Sequence, residues 1–330
     1  NQGSCDYWNS VAGTIEVIQP SIDTSFLLGI SFYNGHKAPN YKLQLSNIKA
    51  AGFNNIRVFV NYFNPNNAGF TVFDQDANLT SEMTGFMELM SYSKSIGLNV
   101  NVTFWRRYMG KMRSDAGGGS YVKYKNGIVK VYQQIINAGY GPENFYFDVG
   151  NEHTDPEEVG GNLSQSEIRN IISECRDINP NIPMTASITS TSSLGRNPEG
   201  CGAFVKSTGQ SILSYHENRR KGKWPWEESK IIQLTNRLKS GYDGPIYYDE
   251  PACSDYSLAG GVDLENVTTE RLLSMYNGAV KAGAKQWLLH HHACWPPHYS
   301  DALNHNGIIP DDMKPPERGV FDHFKNKNSV

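Results

Sequence analysis

Apolar residues along the chain gather into eight short runs. They are Ser25–Tyr33, Asn54–Phe63, Gly97–Trp105, Asn144–Glu152, Ile182–Thr189, Ser211–Asn218, Gly244–Pro251 and Ala284–His292. Between most of them lie polar loops and amphipathic stretches with apolar residues at helical spacing. Tyr41–Phe53 is one, and it carries Gly52 near its end. The stretches ending at Gly97, Gly139 and Gly283 repeat the pattern, each running straight into the next apolar segment. Glycine at that place is a common helix stop. The runs are short and apolar on both faces, as in strands covered on both sides. Eight strands alternating with helices predict an α/β fold: a closed, parallel (β/α)8 TIM barrel. The expected organisation is a single catalytic domain, 1–330. Residues up to about 24 form a lead-in, and those from about 296 form a C-terminal loop and closing helix. An open doubly wound sheet would place a glycine-rich phosphate loop after its first strand, and Gly29–Lys37 is not one.

Composition adds little to this picture. The 330 residues carry a net charge of -3, 19% charged and 12% aromatic residues. Few charges and many rings suit neutral, hydroxyl-rich ligands held by stacking and hydrogen bonds. The slight acidity argues against nucleic-acid binding, which needs a basic face. No apolar stretch reaches the roughly 18 residues of a membrane span. The chain starts at Asn1 rather than Met, so the expectation is a processed, secreted or periplasmic protein, monomeric and without a cofactor. The five cysteines form no CxxC pair, and an odd count leaves at least one thiol unpaired in a monomer. Asn78, Asn101, Asn162 and Asn266 sit in N-x-S/T sequons, Asn101 inside a predicted core strand.

Function in such barrels sits at the C-terminal ends of the strands. The fourth run ends in Gly150-Asn151-Glu152-His153, the seventh in Asp249-Glu250-Pro251. Two carboxylates on opposite sides of one rim are what hydrolysis of a glycosidic bond with retention requires: one protonates the leaving oxygen, the other attacks the anomeric carbon. Asn-Glu on strand four with Glu on strand seven resembles the clan of (β/α)8 retaining glycosidases, which includes cellulases, mannanases, xylanases and β-glucosidases. That resemblance implies Glu152 as acid/base and Glu250 as nucleophile. It implies that Arg57, in the second run, supports the nucleophile, and that Asn151 binds the sugar 2-hydroxyl. His216 ends the sixth run where the clan often has His-x-Tyr. Asn218 stands in place of that tyrosine, which points away from a standard cellulase. Trp295, after the eighth run, matches the ring that floors the reacting-sugar subsite.

Tyr33, Trp105 and His292 end other runs and join the expected substrate-binding set. Arg106 and Arg219 begin basic, aromatic-rich loops on the same rim. They suggest a polysaccharide or oligosaccharide with acidic or substituted units, since guanidinium groups pair well with uronate or sulfate. Two readings compete with a glycosidase. One is a carbohydrate-binding barrel without catalysis. The other is a metal-dependent hydrolase using His290 and His292, which share a strand face. No G-x-S-x-G nucleophile elbow is present.

Overall fold

The computed structural model describes residues 26–33, 35–61, 71–105, 120–153, 163–217, 227–250, 267–291 and 308–328. Each expected run contains a strand. They are β1 (Leu27–Ser31), β2 (Asn55–Phe59), β3 (Asn99–Trp105), β4 (Phe145–Asn151), β5, β6 (Leu213–His216), β7 (Ile246–Glu250) and β8 (Gln286–Leu289). β5 comes in two pieces, Met184–Thr185 and Ile188–Thr189. A helix follows each strand: α1 (Tyr41–Ala50), α2 (Glu82–Ser95), α3 (Ser120–Asn137), α4 (Gln165–Ile178), α5 (Pro198–Thr208), α6 (Glu228–Gly241), α7 (Thr269–Lys281) and α8 (Pro315–Asn328). Gly52, Gly97, Gly139 and Gly283 all take the left-handed conformation after their helices. That is why glycine recurs there in the sequence.

All ladders are parallel. β1 pairs with both β2 and β8, which joins the beginning of the barrel to its end. The first piece of β5 pairs with β4, and the second with β6. Ser211 also donates its backbone N–H to the Met184 carbonyl at 3.0 Å, so β5 is bonded on both sides and the ring closes. The fold is a (β/α)8 barrel in one domain. Among the described residues no helix is long and apolar enough to cross a membrane.

Strand alternation sorts the barrel into two environments. Ile56, Val58, Val100, Val102, Phe145 and Phe147 belong to the large core beneath the helices. The intervening Asn55, Arg57, Asn101, Thr103 and Asp148 are buried too. The strands are therefore covered on both faces, but the lumen side is largely polar rather than apolar. Arg57, Thr103, Asp148 and the Asn101 side-chain carbonyl bond one another, as unpaired burial would cost several kcal/mol, whereas the Asn55 amide and Asn101 Nδ2 make no side-chain hydrogen bond among the described residues. Tyr146, Ile212 and Tyr247 form a small separate apolar cluster with Leu27.

Candidate active site

Arg57 organises the site. Its guanidinium is fully buried, stacked 5.1 Å from the Phe59 ring centre. Nη1 donates to Glu250 Oε1 at 2.6 Å and to the Asp249 carbonyl at 3.3 Å. Nη2 donates to Asn151 Oδ1 at 2.7 Å and Asp148 Oδ2 at 3.3 Å. Nε donates to the Thr103 hydroxyl at 3.1 Å, which donates in turn to Asn101 Oδ1 at 2.9 Å. Burial opposes the charge of Arg57, but Glu250, Asp249, Tyr33 and Asp148 outweigh it and raise its pKa further. For Asp148 the balance runs the other way. Burial pushes its carboxyl above the usual range despite the nearby guanidinium.

Glu152 and Glu250 face each other across the rim, with His216 between them. His216 Nδ1 lies 3.2 Å from Glu152 Oε1 and 3.5 Å from Glu250 Oε2. One ligand-type atom from each of the three residues falls within 4.8 Å of the others. The His216 side chain is fully buried, while Glu250 and Glu152 retain 5% and 16% exposure. Solvent therefore reaches the carboxylates and not the ring.

Local irregularities aim these groups. Thr103 pairs with Asp148 but Trp105 pairs with Asn151, so β4 holds one extra residue between them. Ser214 pairs with Tyr247 but His216 pairs with Glu250, so β7 holds one too. Regular alternation would turn Asp249 and Glu250 to opposite faces. The bulge turns both inward, Glu250 to Arg57 and Asp249 to Tyr146, Ser214 and Gln286. Glu152 itself has φ 49°, in the left-handed region. That conformation costs a residue with a side chain about 1–2 kcal/mol, a strain typical of functional sites.

Beside this centre, the Tyr33 hydroxyl lies 2.5 Å from His290 Nδ1 and receives a hydrogen bond from Ser31 Oγ at 3.0 Å. Tyr33 stacks on Phe59 at 4.5 Å. Arg57, Asn151, His216 and Tyr33 are thus brought together around the glutamates. Arg57 and His216 are wholly buried and Tyr33 is 1% exposed. Trp105 ends β3, but its side chain lies outside the described residues. So do Trp295, Asn218, Arg106, Arg219 and His292. Two further buried tyrosines, Tyr215 and Tyr248, turn away from the site. Tyr215 donates to the Gly195 carbonyl, and Tyr248 bonds Thr235 on α6. Glu217, after β6, is buried too. Asp148 was missed in the sequence, although a carboxylate in the middle of an apolar strand is a usable signal.

As a metal centre the group is loose. Opposite ligands of a zinc ion stand about 4.2 Å apart at most, given bonds of about 2.1 Å. A spread of up to 4.8 Å suits two carboxyls flanking a sugar carbon better. His290 has its Nδ1 engaged by Tyr33.

No protein-family model matches the sequence, and no curated protein matches it. Solved structures do. A GH10 endoxylanase from a sugarcane soil metagenome superposes with a TM-score of 0.62 at 13% identity, covering 91% of this chain and 98% of that one. A GH113 β-1,4-mannanase gives 0.56 at 13%, covering 93% and 98%. The GH53 catalytic domain of Ignisphaera aggregans gives 0.57 at 16%, covering 92% and 97%. The chain shares its fold with xylanases and mannanases. At these identities the likeness is one of fold.

Proposed function

We propose that the protein is a retaining glycoside hydrolase acting within β-linked polysaccharides. The observation that carries this is the opposed pair from β4 and β7, whose carboxylate oxygens lie within 4.8 Å, with Arg57 bonded to one of them. Retaining enzymes hold their carboxyls about 5–5.5 Å apart, inverting ones about 6.5–9.5 Å. Glu250, ion-paired to Arg57, attacks the anomeric carbon as the bond to the leaving oxygen breaks. Glu152 gives that oxygen its proton. Glu152, now a carboxylate, takes a proton from water, whose oxygen attacks the same carbon and releases Glu250. Asn151, fixed through its Oδ1 by Arg57, presents its amide N–H groups to a sugar hydroxyl.

The xylanase and mannanase neighbours make β-1,4-linked xylan and mannan the first substrates to test. Arg106 and Arg219, which closely follow β3 and β6 in the sequence, argue for acidic substituents on the substrate. A polymeric substrate too large to enter a cell argues for secretion.

The decisive experiment assays wild type, Glu250→Ala and Glu152→Ala on that panel, with proton NMR of the first-formed anomer. Glu250→Ala should abolish turnover. Glu152→Ala should lower it by about 10²- to 10⁴-fold, the usual contribution of acid/base catalysis. On a 2,4-dinitrophenyl β-glycoside, whose phenolate leaves without a proton, added azide should then restore turnover by yielding the β-glycosyl azide. An α-anomer as first product, or full activity in either variant, would overturn the proposal.

A further inference from the structure

Four residues of the turn that carries Glu152 converge on Ser187. Its backbone N–H donates to Asp148 Oδ1 at 3.2 Å, an oxygen that also receives the Gly150 N–H at 3.2 Å. Its hydroxyl accepts the Glu152 N–H at 3.0 Å and donates to Asn151 Oδ1 at 3.3 Å. Its carbonyl lies 2.9 Å from His153 Nδ1. Ser187 is fully buried, and it falls in the gap between the two pieces of β5. The gap thus has a use. Where a regular strand would direct its N–H and C=O into ladders, Ser187 directs both onto side chains of the β4 turn.

The turn needs such a holder, because Glu152 sits at φ 49°. A non-glycine residue keeps that conformation only when its surroundings over-determine it. The Glu152 N–H bond to Ser187 fixes the peptide from which the carboxylate projects. The second bond of the same hydroxyl ties that peptide to Asn151, and through Asn151 to Arg57 and Glu250.

We infer that Ser187 is a positioning residue for acid/base catalysis: its hydroxyl holds the strained Glu152 backbone so that the carboxyl points at the leaving oxygen. This rests on the assignment of Glu152 as acid/base. A hydroxyl that accepts and donates at once is required, so threonine is the conservative replacement and alanine removes both bonds.

Acid catalysis matters in proportion to how poor the leaving group is, which separates positioning from general damage. The test compares kcat/KM of Ser187→Ala on an alkyl β-glycoside and on the matching 2,4-dinitrophenyl β-glycoside, whose phenolate leaves unprotonated. The alkyl substrate should lose about 10- to 100-fold, the scale of an ångström-level misplacement, and the dinitrophenyl one less than about threefold. The ratio within one preparation does not depend on how much of it is folded. Ser187→Cys, nearly isosteric but a weaker hydrogen bonder, should fall between, and Ser187→Thr should restore the ratio. An equal loss on both substrates, or no loss on either, overturns the inference. Glu152→Ala serves as the reference. If it shows no leaving-group dependence, the assignment of Glu152 fails and the role of Ser187 falls with it. If it shows strong dependence while Ser187→Ala shows none, only the role of Ser187 fails.

Discussion

Removing the Arg57 side chain would strand the fully buried Asp148 and take the guanidinium from Glu250, which is only 5% exposed. Breaking a buried ion pair from one side costs about 3–5 kcal/mol, because the orphaned charge stays buried. Arg57→Ala should therefore lower unfolding stability by that amount in urea titration and abolish activity. A stability loss under about 1 kcal/mol would show that the carboxylates find other partners. Arg57→Lys separates the two effects. Lysine keeps the charge but lacks the fork that reaches Glu250 with one nitrogen and Asn151 with the other. It should stay folded while kcat/KM drops by about 100-fold, since both groups lose their registration. Arg57 was legible in the sequence for a physical reason. An arginine inside an apolar strand must meet a carboxylate, and Glu250 was the carboxylate at hand. Ser187 gave no such signal, because a serine in a strand is unremarkable until its partners are seen.

At the scale of elements, α5 and α6 meet backbone to backbone at Gly202 and Gly241. A Cβ on Gly202 would stand 1.9 Å from the Gly241 carbonyl oxygen, and one on Gly241 would stand 2.0 Å from that of Glu199. Both obstacles are backbone, so neither helix can yield by turning a side chain. Gly202→Ala should cost about 1–3 kcal/mol, as overpacking does elsewhere. It should show as a lower melting temperature with unchanged kinetics, since the contact lies on the outer ring. The strands and most helices could be read from apolar periodicity and closing glycines. The bulges in β4 and β7 could not. Strict alternation assigns Asp249 and Glu250 to opposite faces, and one extra residue per strand reverses that. β5 was expected as one continuous run, and its break answers to hydrogen bonds with another strand's turn.

The stability of the whole molecule should carry a pH signature from one buried ring. His36 Nε2 pairs with Glu82 Oε2 at 2.8 Å, with Lys37 Nζ on the other carboxylate oxygen at 2.7 Å. Burial lowers the pKa of His36, and Glu82 only partly offsets this. Below about 6.5 the unfolded chain therefore binds a proton that the fold resists. The contribution of His36 is complete above that value and declines as pH falls through it toward the depressed folded pKa. Wild type should lose more melting temperature between pH 7.5 and 5.5 than His36→Gln, which keeps a donor for Glu82. Equal losses would show that the ring is not the sensor.

The polar lumen also divides the labour of the chain. Cohesion comes from the greasy sleeve between strands and helices, where Trp287, Phe147 and Tyr132 are wholly enclosed. The proposed bond-breaking chemistry draws on the hydrophilic shaft inside it, lined by Arg57, Asp148, Ser187 and His216. Two residues adjacent in sequence therefore answer to different selective pressures. A laboratory search for heat-tolerant variants should collect its substitutions in the sleeve, and a search for new linkage specificity should collect them along the shaft. Outside the bulges of β4 and β7, the parity of a position within its strand foretells which search will find it.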